Sequence, residues 1–196
     1  MPKISLDLKR SYPIFETRVG SIPLIGYRAF RLREHREEGH PPLMLGSVTS
    51  SYVWKGPIQR NRKPPAIYWR YAMSYEMAET KGTNDLQSPG FFMYKNPTLM
   101  DKHLCCEYPI YARLSLFGRV IEHELGFRAQ YVRIDKLFFD PYVVASPIFD
   151  LDRWNPKALV EMMEREYHCD VVYDAMIYYM DQMKADYEEQ LKTVGL

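Results

Sequence analysis

The residues best equipped for chemistry sit close together between Arg119 and Arg128, where Glu122, His123 and Glu124 stand in a row. On an extended segment, alternation puts Glu122 and Glu124 on one face and His123 on the other. Two carboxylates on one face can share a proton or hold a cation. Two arginines beside them can clamp a phosphate. The same residues also suit the solvated tip of a hairpin with cross-strand Arg–carboxylate pairs, which is the commoner arrangement. A second group, Lys55, Arg60, Arg62, Lys63 and Arg70, is interleaved with Trp54, Tyr68 and Trp69. Phosphate contacts with base stacking need that mixture, so nucleic acid is a candidate partner. His103, Cys105 and Cys106 offer imidazole and thiolate, but a zinc site needs a second pair, which only His168 and Cys169 could supply. Buried thiols are the commoner state. Asp150 and Asp152 are half of a carboxylate site and read as a turn before a helix. No metal site is therefore expected. The chain has no P-loop, G-x-G-x-x-G, G-x-S-x-G or H-E-x-x-H motif.

These groups need elements to position them. Gly26 to Arg33 alternates, with Tyr27, Ala29 and Arg31 on one side and Arg28, Phe30 and Leu32 on the other, which predicts a strand. A charged turn follows, and then a second strand region from Pro42 to Trp54 with a bend at Gly46. The stretch from Lys55 to Tyr71 reads as a basic, Pro-rich loop. Ala72 to Lys81 reads as a helical turn or two. Gly90 to Tyr94 reads as a short strand. Asn96-Pro97 reads as a cap with proline at the first helical position, starting a helix that runs to about His103. Tyr111 to Glu124 and Phe127 to Phe139 read as two strands turned at Leu125-Gly126. Asn155-Pro156 repeats the cap and starts a helix to about Tyr167. Asp170 is placed to cap a longer helix, on which Val172, Met176, Tyr179, Met180, Met183, Tyr187 and Leu191 recur at helical spacing. The first 25 residues read as an extended arm with at most one short strand. Strands first, one inserted helix and two helices at the end predict an α+β fold with a mostly antiparallel sheet. The expected division is a sheet region over 1–145 and a C-terminal helical unit over 146–196 packed on it.

The chain has 196 residues, of which 46% are hydrophobic, enough for a sizeable core. Three cysteines are too few, and odd in number, for a disulfide framework. The polar start, with Lys9 and Arg10, reads as lacking a secretory leader, and no apolar run reaches membrane-spanning length. A reducing, cytoplasmic setting and no membrane association are expected. The net charge of +1 is uneven: residues 1–72 carry +8, residues 73–144 carry −1 and residues 145–196 carry −6. A basic front and an acidic tail are expected to attract each other within the fold.

The segment GFFMYKNP, starting at Gly90, with LFGRVIEHELGFRAQYVRI, starting at Leu116, resembles an uncharacterised family of bacterial and phage proteins. Members carry a G-x-Y-A-Y-K strand and a W-G-R-V-I-E-H-E-x-G-x-R-A hairpin. Phe117 stands where the family has Trp, and Gln130 where it has Glu. Ser88-Pro89 stands where many relatives have Cys. The resemblance covers the hairpin closely, extends to the strand GYRAFRLR and to Val53-Trp54, and ends near residue 140. It implies a phage or mobile-element protein that acts on its host, without an established reaction.

The order of Arg28, then Thr49-Ser50-Ser51, then Glu122-x-Glu124 is similar to that of arginine-type ADP-ribosyltransferases. That similarity implies NAD held by Arg28, a pocket ordered by Ser50 and a ribosyl cation stabilised by Glu124 beside Glu122. The leading expectation is a small interaction protein that binds a host protein through a Tyr-, Met- and Arg-rich surface and needs no cofactor. The NAD-consuming transferase and the nucleic-acid-binding module are the alternatives.

Overall fold

The computed structural model describes residues 14–17, 23–35, 38–39, 41–48, 52–60, 90–104, 110–122, 125–139, 155–173 and 179–194. The elements in chain order are β1 (Ile14–Thr17), β2 (Leu24–Glu34), β3 (Leu43–Ser47), β4 (Ile58–Arg60), β5 (Phe91–Tyr94), α1 (Pro97–Leu104), β6 (Ile110–Glu122), β7 (Gly126–Phe139), α2 (Pro156–Tyr167), β8 (Asp170–Tyr173) and α3 (Tyr179–Val194). The long pair β6–β7 is the spine. Both strands alternate strongly, and their β-branched and aromatic residues favour a pleated, half-buried surface. The free edge of β6 takes β2 along Ile110–Leu116 and β1 along Gly118–Ile121. The free edge of β7 takes β5, β4 and β8 in turn.

The sheet closes on itself. β6 pairs with β2 and β7, and β5 also pairs with β2 and β7, so these four strands form a ring. Closure removes exposed edges and creates an inside and an outside. The inner cluster joins Phe30, Leu45, Trp54, Met93, Ile110, Leu114, Val132, Leu137 and Phe139 to Leu159, Met163 and Tyr167 of α2. The outer cluster joins Tyr27, Ala29, Tyr111 and Phe138 to Met100 of α1 and Met180 and Met183 of α3.

Two irregularities bend the spine. Between Arg113 and Leu114 the partners step from Lys136 to Ile134, leaving Asp135 as an extra residue. Between Phe117 and Val120 the partners step from Tyr131 to Ala129, so Gly118 and Arg119 together face Gln130. Gly118 has φ +72, and a Cβ there would lie 2.6 Å from the Tyr131 ring. The motif F-G-R-V is therefore a β-bulge whose glycine supplies the left-handed residue.

The α+β fold and the cap-plus-proline helix starts are as the sequence predicts. Asn96 Oδ1 accepts from the Leu99 amide at 2.8 Å, and Asn155 Oδ1 accepts from the Lys157 amide at 2.9 Å. The sheet is mostly antiparallel, as expected, with one parallel pairing, β8 along β7. Other expectations are corrected. Asp170 does not cap a helix: Val171-Val172-Tyr173 extends along Leu137–Phe139 of β7, and the helix starts at Tyr179. The β-branched pair there favours the strand once an edge is available. The basic stretch is not wholly loop, since Ile58–Arg60 pairs with Tyr131–Arg133. The expected break near Gly46 falls one residue later: β3 ends at Ser47, and Val53 comes back to bridge Gly46, where the missing side chain leaves room for Arg33. The segment expected to be helical over 72–81 lies outside the described residues. No helix among the described residues is long and apolar enough to cross a membrane.

Candidate functional site

The two segments of the motif resemblance meet in space. Phe91, Phe92, Met93 and Tyr94 pair with Ala129, Arg128, Phe127 and Gly126 in that order. Gly126 makes this approach possible, since any side chain there would collide with the Met93 carbonyl. Lys95 completes the junction, pairing with Glu122 at 2.5 Å and donating its amide to the Leu125 carbonyl at 3.1 Å. Its ammonium also lies 5.9 Å from the Phe127 ring. Arg128 is nearly buried with its guanidinium 6.0 Å from the Phe92 ring. The Arg–carboxylate pair expected across the hairpin is thus replaced, for Glu122, by an ion pair with Lys95. His123 and Glu124 lie outside the described residues.

Arg28 is on the inner face, where it fills a seam in the wall. The β2–β5 ladder consists of the single pair Tyr27–Tyr94, so the strands diverge beside Arg28. Its Nη1 donates to the Phe92 carbonyl at 2.6 Å and its Nη2 to Ser47 Oγ at 3.0 Å. The guanidinium stacks 5.9 Å from the Phe30 ring and 5.7 Å from the Trp54 ring. Tyr52, Trp54 and Phe91 form a cluster along the same seam, with ring centroids 5.2–6.3 Å apart. Burial raises the pKa of the Tyr52 phenol, so it acts here as a neutral hydroxyl. That hydroxyl donates to Gln59 Oε1 at 3.1 Å, and Gln59 Nε2 in turn ties down the carbonyls of Lys55 and Gly56. No hydrogen bond or ion pair joins Arg28 to Glu122. Ser50 lies outside the described residues.

The third arrangement is on the outer face, on the part of β4, β7 and β6 that α3 does not cover. Two cross-strand rows define it: Ile58, Arg133 and Ser115, then Arg60, Tyr131 and Phe117. Arg60 stacks 5.5 Å from the Tyr131 ring, and Arg133 stacks 5.6 Å from the Phe117 ring. The bulged Asp135 accepts from Ser115 Oγ and, at 2.8 Å, from Arg133 Nε, which holds Arg133 across the face. Ile58 is 59% exposed beside these groups. Of the candidate nucleic-acid residues, Lys55 and Arg60 are exposed, while Arg62, Lys63 and Arg70 lie outside the described residues. Trp54 is fully buried, so it offers no stacking platform. Sequence reasoning missed Ile58, Phe117, Tyr131 and Arg133. Their alternation with buried neighbours was a usable signal, but the rows depend on pairing between distant segments.

Where α3 covers the same outer face, it supplies a carboxylate to the charges beneath it. Asp186 of α3 accepts from Arg113 Nη1 at 2.9 Å and from Lys136 Nζ at 2.7 Å. Burial acts to raise the Asp186 pKa, but the Lys136 and Arg113 partners outweigh it and hold the carboxyl below its usual range. Burial, aided by Asp186, pushes the Tyr27 phenol well above its usual pKa. Cys169, a half-buried free thiol, is pushed up to about 12 by burial and neighbouring carboxylates, so it carries little nucleophilic character. Among the described residues no group of three or more metal-ligating side chains converges.

A scan against protein-family models, a search of curated proteins and a search of solved structures each return no match to this chain.

Proposed function

We propose that this chain is a non-catalytic binding protein that docks a protein partner on the part of the outer face of β4, β7 and β6 that α3 leaves open. The observation that carries this reading is Ile58, a large aliphatic side chain 59% exposed beside the stacked pairs Arg60–Tyr131 and Arg133–Phe117. Arginine and aromatic residues around a small apolar centre are the composition of protein-interface hot spots. The stacked arginines are pre-ordered, so docking immobilises few further side chains. Arg60 is exposed and, among the described residues, has no carboxylate partner. The matching partner therefore presents an aliphatic or aromatic residue flanked by acidic ones. Host-directed action and a phage or mobile-element origin, as the motif resemblance implies, belong to the same reading.

The test is cross-linking capture from bacterial lysate with wild type beside Ile58→Asp and Arg60→Glu. One protein held by wild type and lost by both variants, with unchanged thermal unfolding, supports the proposal. Equal capture by all three proteins overturns it. So does binding of a single-stranded oligonucleotide, rather than a protein, that the variants lose.

A further inference from the structure

We propose that the seam beside β5 is a binding site for a small oxyanion, a carboxylate or a phosphate monoester, held by Arg28 and Trp54. The site is distinct from the docking face and does not rest on it. Arg28 projects inward from β2, opposite Ala112, whose small side chain leaves room for the guanidinium. A guanidinium carries five N–H donors. Arg28 places one on the Phe92 carbonyl and one on Ser47 Oγ, both neutral acceptors. Its Nε is buried and, among the described residues, has no acceptor. Trp54 is fully buried, and its Nε1 also lacks an acceptor among the described residues. The Trp54 ring lies 5.7 Å from the Arg28 guanidinium carbon. Among the described residues no carboxylate pairs with Arg28.

Arg28 is half-buried without a counter-charge, and a buried N–H without an acceptor is costly. An oxyanion at this corner relieves both, because it accepts from the free edge of Arg28 and from Trp54 Nε1 in charge-assisted bonds. The surroundings are ready for it. Ser47 and the Phe92 carbonyl fix the plane of the guanidinium, and Phe30 and Trp54 support its faces. Half-buried Tyr52 and Phe91 pack on each other with centroids 5.7 Å apart and add aromatic surface along the seam, against which an apolar part of the ligand can rest. Tyr52 and Phe91 lie on segments that do not pair with each other, so the wall there is closed by side chains rather than by a ladder.

The test is calorimetric titration of the full chain with inorganic phosphate, benzoate and phenyl phosphate, on wild type, Trp54→Phe and Arg28→Lys. Trp54→Phe keeps an aromatic ring in place and removes the indole donor together with part of the ring's bulk. Saturable binding of at least one probe, weakened tenfold or more in Trp54→Phe, is the expected result. Whether benzoate or the phosphates bind more tightly identifies the ligand class. Should Arg28→Lys fail to fold, the Trp54→Phe comparison alone decides. No saturable heat at millimolar concentration with any probe overturns the proposal, as does equal affinity in wild type and Trp54→Phe.

Discussion

Lys95 Nζ stands 2.5 Å from Glu122 Oε1, and this ion pair fastens the end of β5 to the end of β6. Both side chains remain about 30% accessible (29% and 30%), so water and salt screen the pair. Replacing Lys95 by Ala or Glu122 by Gln is expected to cost about 0.5–1 kcal/mol. Urea unfolding checks this, and the loss should shrink at about 1 M salt, where the screening length is only about 3 Å.

Three glycines should rank by what surrounds them. Gly39 has φ +83 and open space, so Gly39→Ala meets only the left-handed backbone penalty, about 1 kcal/mol. Gly118 has φ +72 and the Tyr131 ring against it, so Gly118→Ala should cost about 2–3 kcal/mol. At Gly126 the obstacle is the Met93 backbone carbonyl, which cannot swing aside. Gly126→Ala should therefore abolish soluble folded protein or cost more than about 4 kcal/mol. Expression and denaturation of the three variants decide the order, and Gly126→Ala folding as well as Gly39→Ala would refute the packing described for β5.

Asp186 gives stability a pH dependence with a definite sign. Its carboxyl titrates lower in the folded protein than in the unfolded chain because Lys136 and Arg113 favour the charged form over the opposing effect of burial. The contribution is therefore complete above the unfolded pKa, about 3.9, and is lost as pH falls through the folded value. Asp186→Asn should cost about 2–3 kcal/mol at pH 7, since it leaves two cations half-buried without their anion. Urea midpoints of wild type and variant should begin to converge as pH falls below about 4.

Tyr167 holds α2 to the inner wall with its hydroxyl. The Leu45 amide donates to it at 2.8 Å, and it donates to the Trp54 carbonyl at 2.9 Å. Tyr167→Phe keeps the ring but leaves a buried N–H and carbonyl without that partner, a loss of about 1–3 kcal/mol. A drop of several degrees in Tm with unchanged far-ultraviolet circular dichroism is the expected result. Burial also pushes the Tyr167 phenol far above its ordinary range, so it should not ionise below the pH at which the protein unfolds.

Much of the local structure was legible in the chain. Asn96-Pro97 and Asn155-Pro156 start helices because an Asx side chain caps free amides and proline fixes the first turn, effects that act within a few residues. Alternation in 26–33, 111–124 and 127–139 marks strands because a pleated strand has two faces, and the described part of the second ends at Glu122. Gly126 marked the hairpin, and Gly118 proved to mark a bulge. Pairing between distant segments decided the rest. Asp170–Tyr173 became a strand only because β7 offered an edge, overriding the helical spacing of the residues that follow. Ile58 and Arg60 joined Tyr131, Arg133 and Phe117 through a ladder that no local pattern encodes. Arg28 was singled out by its position on a strand, but its inward direction, its neutral partners and its place beside Trp54 follow from closure of the sheet. Sequence fixes which face a side chain takes along its own strand; the tertiary structure decides which faces look inward and which strangers meet there.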